Sequence, residues 1–235
     1  MSDVKYFNFP IQLLSDLFKD KMKTLNDISE YALYAHSLKL ELGQSSYDNF
    51  LSAAHFYNVV LGGDDAYKRR QFKLVKDLYK SIPKSAPKVG LNITIFWDFY
   101  KNEKSEFDLA CLAAFLAIRS ILGDKPYCKI TNAFFWARMC GYPNKINDVS
   151  ELSTAVAKYA NEYQTKKIKK TLSESWFLVT YSRYTRGFYV SFLLDMNALV
   201  YEAEKRRKST KDKQRKEKEK VALEKARLRL GIPLN

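Results

Sequence analysis

The stretch YQTKKIKKTLSESWFLVTYSRYTRGFYVSFLLDM, residues 163–196, constrains the fold more than any other. Its hydrophobic period changes part-way. Ile168, Leu172 and Trp176 recur every fourth residue, which is the stripe of a helix docked on one face. Lys166 and Lys170 point away from that stripe, and Lys167 and Lys169 flank it. Gln164, Thr165 and Thr171 add groups able to hydrogen-bond phosphates or base edges. From Phe177 the period drops to two. Phe177, Val179 and Tyr181 alternate on one strand, and Phe188, Val190, Phe192 and Leu194 on its partner. The connection Ser182 to Arg186, closed by Gly187, puts Arg183, Tyr184 and Arg186 at a hairpin tip. A turn needs only turn-forming residues, whereas two guanidinium groups suit phosphate oxygens. On its own the helix also reads as an ordinary solvated lysine face.

The charge balance points the same way. The chain of 235 residues carries a net charge of +14. Residues 201–235 hold 13 Lys or Arg against 6 Asp or Glu, half of that excess, and the rest lies in the body. Such a surface implies a polyanionic partner, nucleic acid before an acidic membrane. An apolar share of 46% is enough to build a core, and only 8 Gly and 6 Pro argue against long irregular loops. No apolar run reaches the length of a membrane span, and MSDVKYFNFP lacks the layout of a signal peptide. Cys111, Cys128 and Cys140 have no metal-ligand spacing and read as reduced core thiols of a cytoplasmic protein.

Taken in order, residues 8–18 read as a helix with Pro10 in its first turn. Asn26 or Asp27 caps a second helix, and Ser45 or Ser46 a third that runs to Leu61 before Gly62. Asp64-Asp65 caps a fourth, where Phe72, Val75 and Tyr79 form the buried stripe. Arg69, Lys73, Lys76 and Lys80 make a basic stripe beside it, with Arg70 adjacent. Gly90 to Asp98 reads as an apolar strand. KNEKSE, residues 101–106, is the expected domain boundary. FDLACLAAFLAIRSIL is apolar nearly all round and should be the central helix of the second domain. Thr131 caps a further helix, and Asn147 or Asp148 opens another through Tyr159.

The two halves read as copies, although chance likeness among apolar helices is the alternative. Ile28-Ser29 matches Ile130-Thr131, and Tyr34-Ala35 matches Trp136-Ala137. Tyr67 and Tyr163 each open a basic helix, and GLNITIFWD aligns with GFYVSFLLD. The first half lacks a first hairpin strand, because Pro83 to Lys88 is broken by proline. After Ala198 the chain becomes a charged segment, read as a long solvated helix or as an arm that orders on nucleic acid. Glu202–Arg206, Glu204–Lys208 and Asp212–Lys216 are its favourable i,i+4 pairs.

Motifs of phosphate-binding loops, zinc proteases, dinucleotide folds and serine hydrolases are absent, and no cofactor or metal is expected. His36 and His55 lie beside apolar residues and suit packing better than catalysis.

In length, in its paired helical modules and in the better-formed second ribbon, the chain resembles the plasmid replication initiators built from two winged-helix domains. The resemblance covers roughly residues 8–196 and includes no diagnostic motif. It implies a mainly α fold with small β-ribbons (α+β): a winged-helix-like domain over 1–102, a second over 103–197, and a charged helical tail over 198–235. It further implies sequence-specific binding of direct repeats of double-stranded DNA at an origin. With the missing catalytic motifs and the reduced cysteines, the expectation is a non-enzymatic protein of the cytoplasm, associated with nucleoid or plasmid. Contacts would come from Lys166, Lys167, Lys169, Lys170, Arg183 and Arg186 and, by repeat, from Arg69, Arg70, Lys73 and Lys76. The first domain would read an adjacent half-turn or form a homodimer. A structural protein neutralising RNA or DNA through its tail is the competing expectation. Membrane binding ranks last, because the middle of the tail lacks an apolar face.

Overall fold

The computed structural model describes residues 4–40, 45–184 and 186–229, without the side chains of Tyr184 and residues 226–229. The fold is mainly helical with two small antiparallel sheets. Strand β1 (Tyr6–Pro10) leads into a 3-10 turn, Ile11–Asp16. Helices α1 (Lys21–Ser37), α2 (Ser46–Phe56) and α3 (Asp65–Ser81) follow, then β2 (Lys88–Asn92) and α4 (Ile93–Lys101). The second half runs α5 (Glu106–Leu122), β3 (Cys128–Thr131), α6 (Asn132–Met139), a 3-10 turn Val149–Glu151 and α7 (Thr154–Ala157). It ends with α8 (Glu162–Trp176), β4 (Val179–Tyr184), β5 (Gly187–Ser191) and α9 (Met196–Arg229).

Several expectations are corrected, each for a local reason. Phe7 and Phe9 are fully buried at a period of two, so the chain before Pro10 is a strand, and only a six-residue 3-10 turn follows it. Helix α1 starts earlier than expected, because the Asp20 carboxylate accepts from the Lys23 backbone N–H and Leu25 joins the buried face. Helix α2 stops at Phe56. Asn58 takes a φ of 55°, and the Asn58 and Val59 N–H groups return to the carbonyls of His55 and Ala54. The strand expected over 90–98 ends at Asn92, whose side chain caps α4 by accepting from Thr94 N at 2.7 Å. Short apolar runs of aromatic and β-branched residues fit either state. The helix expected up to Tyr159 is a 3-10 turn and one turn of α7. Phe177 does not belong to the hairpin strand; it ends α8.

Strand β1 pairs antiparallel with β2, Tyr6 opposite Asn92 and Pro10 opposite Lys88. The second sheet has the order β3-β5-β4, with Cys128 opposite Val190 and Val179 opposite Ser191. Strand β3 is too short to have been read from sequence, yet its partner needs it. A Cβ on Gly187 would sit 2.5 Å from the Ile130 carbonyl oxygen, so glycine lets the two strands close at that point.

Buried residues of both halves form one contiguous core. Helix α5 runs through it with Ala110 to Ala114 and Leu116 to Ile118 inside, touching β2 and the first 3-10 turn as well as α6 and α8. Gly141 (φ 78°) marks the same junction. A Cβ there would lie 2.9 Å from the Ile11 carbonyl and 3.1 Å from Ser15 N. The repeat matches Ile28-Ser29 with Ile130-Thr131 do not correspond in space: the first pair lies inside α1, the second at the end of β3. Cys111, Cys128 and Cys140 are free and buried.

Candidate nucleic-acid interface

Helix α8 is held from two sides. Asn161 caps its start by accepting from Gln164 N at 2.9 Å. Ile168 and Leu172 are fully buried, and Trp176 lies 4.3 Å from the Phe115 ring. Thr165, expected to reach a ligand, faces inward instead. It is 4% exposed, and its hydroxyl accepts from Trp136 Nε1 at 3.1 Å. The cause is its place in the docking stripe, three residues before Ile168.

Lys169, expected to flank the stripe and contact nucleic acid, is half-buried against the hairpin. Its ammonium sits 4.6 Å from the Phe188 ring centroid and donates to Ser182 Oγ at 3.2 Å. Burial, then the charge of Lys166, lowers its pKa. It braces α8 against the hairpin. The other lysines stay at the surface. Lys166 pairs with Glu162 at 2.7 Å, Lys170 lies 3.8 Å from Glu174, and Lys167 covers the Phe107 ring at 4.5 Å. Exposed pairs of this kind hold weakly, about 0.3–0.5 kcal/mol, and yield readily to a stronger anion. Gln164 is half-buried, and Tyr163, expected to open the helix but not among the expected contacts, is 72% exposed beside them.

Helix α3 is held differently, by rings: Phe72 against Tyr34, Tyr47 and Phe50, and Tyr79 against Tyr31 and Tyr34. Val75 is its one fully buried side chain among the described residues. Arg69 is committed to Asp65 at 2.7 Å and stacks on Tyr47, whose hydroxyl donates to the same carboxylate at 2.9 Å. Asp64 caps the helix through Tyr67 N at 2.8 Å, so both carboxylates of the Asp64-Asp65 pair have structural partners. Arg70, Lys73 and Lys76 enter no ion pair among the described residues, and the first two are exposed.

The hairpin carries a second restraint that pairing rules on the tail did not anticipate. Arg183 Nη1 donates to Glu204 Oε1 at 3.0 Å, the Tyr181 hydroxyl to the same oxygen at 3.0 Å, and Arg207 Nε to Oε2 at 2.7 Å. These bonds, led by that from Arg183, push the Glu204 carboxyl down to about 2. Glu202 accepts from the Tyr127 hydroxyl at 3.2 Å. The expected partners Arg206 and Lys208 are therefore replaced, by Tyr127 for Glu202 and by Tyr181, Arg183 and Arg207 for Glu204. Leu199 and Ala203 pack on Tyr189, with Val179, Tyr181 and Leu194 around them. That explains why β5 is buried on both faces: Phe188 and Val190 enter the main core, while Tyr189 meets α9. Arg186 remains exposed at the turn. The Tyr184 side chain and Thr185 lie outside the described residues.

Beyond Lys208, α9 leaves the body, and every described residue up to Leu223 is exposed. At 1.5 Å per residue this free part extends roughly 30 Å. Residues 208–225 hold 8 Lys or Arg and 4 Asp or Glu, a positive rod with no packed face.

Among the described residues, no group of His, Cys, Asp and Glu could hold a metal ion, and no helix is long and apolar enough to cross a membrane. Compared with family models, curated proteins and solved structures, the chain finds no match in any of the three.

Proposed function

We propose that this chain is a tandem winged-helix protein that binds double-stranded DNA, with the second half as the principal reader. One observation carries the reading. The second half runs α5-β3-α6-α8-β4-β5, with the single-turn α7 inserted between α6 and α8, its sheet order is β3-β5-β4, and Lys166, Lys167 and Lys170 are exposed on the helix that Lys169 ties to the hairpin. In a winged helix the same order offers its third helix to the major groove and its hairpin to the flanking backbone. The first half supports the repeat in reduced form. Strand β1 pairs with β2 as β3 pairs with β5, α3 stands before β2, and no second hairpin strand lies beside it among the described residues. Its place would be an adjacent half-turn of duplex or a homodimer contact. A replication initiator or regulator of a plasmid or mobile element is the biological role this reading favours.

The exposed rod of α9 favours a second reading, in which charge alone binds any polyanion, RNA included. Selection of bound sequences from a random duplex pool separates the two. The cut for a tail-less chain belongs after Arg207, because Leu199, Ala203 and Glu204 hold the sheet. An enriched sequence retained by residues 1–207 supports the reader. A pool without enrichment, with affinity lost alongside the rod, rejects it in favour of the neutraliser.

A further inference from the structure

A cleft of about 740 Å³ opens in the first half between α1, the 58–62 segment, α3 and α4, away from the α8 face. Its size falls in the range of small-molecule sites, about 300–1,000 Å³. Two features of its lining are unusual. Four aromatic residues, Tyr67, Phe96, Trp97 and Tyr100, line it. Glu30 projects among them, and its carboxyl has no hydrogen-bond or ion-pair partner among the described residues. Desolvation, then the charge of Asp27, pushes that carboxyl up to about 7. Glu30 is half-buried and its oxygens are not among the sealed, unpartnered polar atoms of the fold, so a ligand entering the cleft can reach them. The Trp97 indole N–H likewise donates to no acceptor among the described residues. Lys68 and Lys101 complete the charged lining, and the Lys101 ammonium lies 5.2 Å from the Trp97 ring centroid.

We propose that this cleft binds a nucleobase carrying a phosphate group. The base stacks against Trp97 and Tyr67, Glu30 meets its polar edge, and Lys68 and Lys101 take the phosphate. The lining discriminates among ligand classes. Two lysines against one carboxyl disfavour an amine. A purely apolar ligand leaves Glu30 and the Trp97 N–H unsatisfied. A planar heterocycle uses the aromatic faces, offers a donor and an acceptor to Glu30, and brings the charge the lysines need. Glu30 in its acid form both donates and accepts, which matches a base edge better than a fixed anion does. The site does not depend on the duplex reading: it shares α3 with the first half's auxiliary contact, but none of its residues belongs to the α8 and hairpin surface or is one of Arg69, Arg70, Lys73 and Lys76.

The ligand could be a free mononucleotide or one nucleotide of a single strand, and the test distinguishes them. The full chain is titrated with AMP and with a five-nucleotide deoxyadenosine strand, followed by calorimetry and tryptophan fluorescence. Saturable binding is expected, with Trp97→Leu and Glu30→Ala each weakening it by about tenfold or more, as loss of one stacking partner implies. Binding of AMP identifies a free nucleotide as sufficient. Binding of the strand alone identifies the single-stranded source. Lys101→Ala, an exposed change that leaves the core intact, should weaken either ligand severalfold and serves if Trp97→Leu does not fold. No saturable binding of either probe at millimolar concentration overturns the proposal. So does binding unchanged in the variants, or inorganic phosphate competing as well as AMP. Duplex affinity measured on the same variants should stay unchanged, so failure here and failure of the duplex reading are told apart.

Discussion

Helices α3 and α8 begin alike and are held differently. Each starts at a polar cap, Asp64 or Asn161, and each carries a row of cations. In α8, Thr165, Ile168 and Leu172 are buried, and Lys169 ties the helix to a hairpin that α9 covers from behind. In α3 only Val75 is fully buried among the described residues, and Arg69 is spent on Asp65 and Tyr47. A helix that must present side chains to a groove at sub-ångström accuracy needs its orientation fixed by its neighbours. Charge alone does not distinguish the two; α3 is braced by the rings around Phe72 and Tyr79, whereas α8 is braced by a hairpin as well, through Lys169. The difference ranks α8 as the reader and α3 as an auxiliary contact.

The largest expected effect tests that ranking directly. Replacing Lys166, Lys167 and Lys170 with alanine should remove about three phosphate contacts. Each contributes about 0.9 to the salt slope, so at 0.15 M salt duplex affinity should fall by about 100-fold and the slope by about three. The matched change in α3, Arg70, Lys73 and Lys76 to alanine, should cost under about tenfold. Gel-shift titration across a salt series reads both. Equal losses would dissolve the distinction, and a larger loss in α3 would reverse it.

A second contrast lies in what each half leaves unsatisfied. The second half pairs Thr165 with Trp136 but leaves the buried Arg138 Nε and Nη1 without a hydrogen-bond partner among the described residues. The α3 side leaves Glu30 desolvated in the cleft. Because the folded-state pKa of Glu30 is raised to about 7, the folded protein holds this proton more tightly than the unfolded chain. Its stability contribution is therefore complete below the unfolded pKa and is lost as pH rises toward 7 and above. Glu30→Gln removes the ionisation. Discounting for solvent at the cleft mouth, it should raise stability by about 1–2 kcal/mol at pH 8 and change little at pH 4. Urea unfolding at the two pH values measures this. Equal effects at both would mean Glu30 ionises freely.

How far these features could be read from sequence follows the range of the interaction behind them. The docking stripe of α8, the cap at Asp64, the apolar α5 and the hairpin are written in local spacing, and the structure has them. Strand β3 is four residues whose identity as a strand comes from β5, more than fifty residues later. The inward turn of Lys169 depends on Phe188, and the diversion of Glu204 from Lys208 depends on Arg183. Neither residue is a helical neighbour, so periodicity does not see them. The cleft around Glu30 gathers residues from α1, the 58–62 segment, α3 and α4, and no single stretch announces it.

The ends of the two helices give the smallest and most local test. Helix α3 leaves through Ile82 in extended backbone (φ −96°), whereas α8 leaves through Phe177 in the left-handed region (φ 57°). There Phe177 and Leu178 both return their N–H groups to the Leu172 carbonyl, and the chain is aimed into β4. The Phe177 ring is 82% exposed, so burial offsets little of the backbone strain of a side chain in that region. Glycine adopts this φ without penalty, and Phe177→Gly should stabilise the fold by about 1 kcal/mol even after its greater unfolded-state freedom is counted. Ile82→Gly should do the opposite and cost about 2 kcal/mol, since extended backbone suits isoleucine and its half-buried side chain is lost. Paired thermal or urea melts decide it. If both substitutions destabilise, the exposed ring at Phe177 is holding something, and the sharp exit of α8 is fixed by contact, not by backbone geometry.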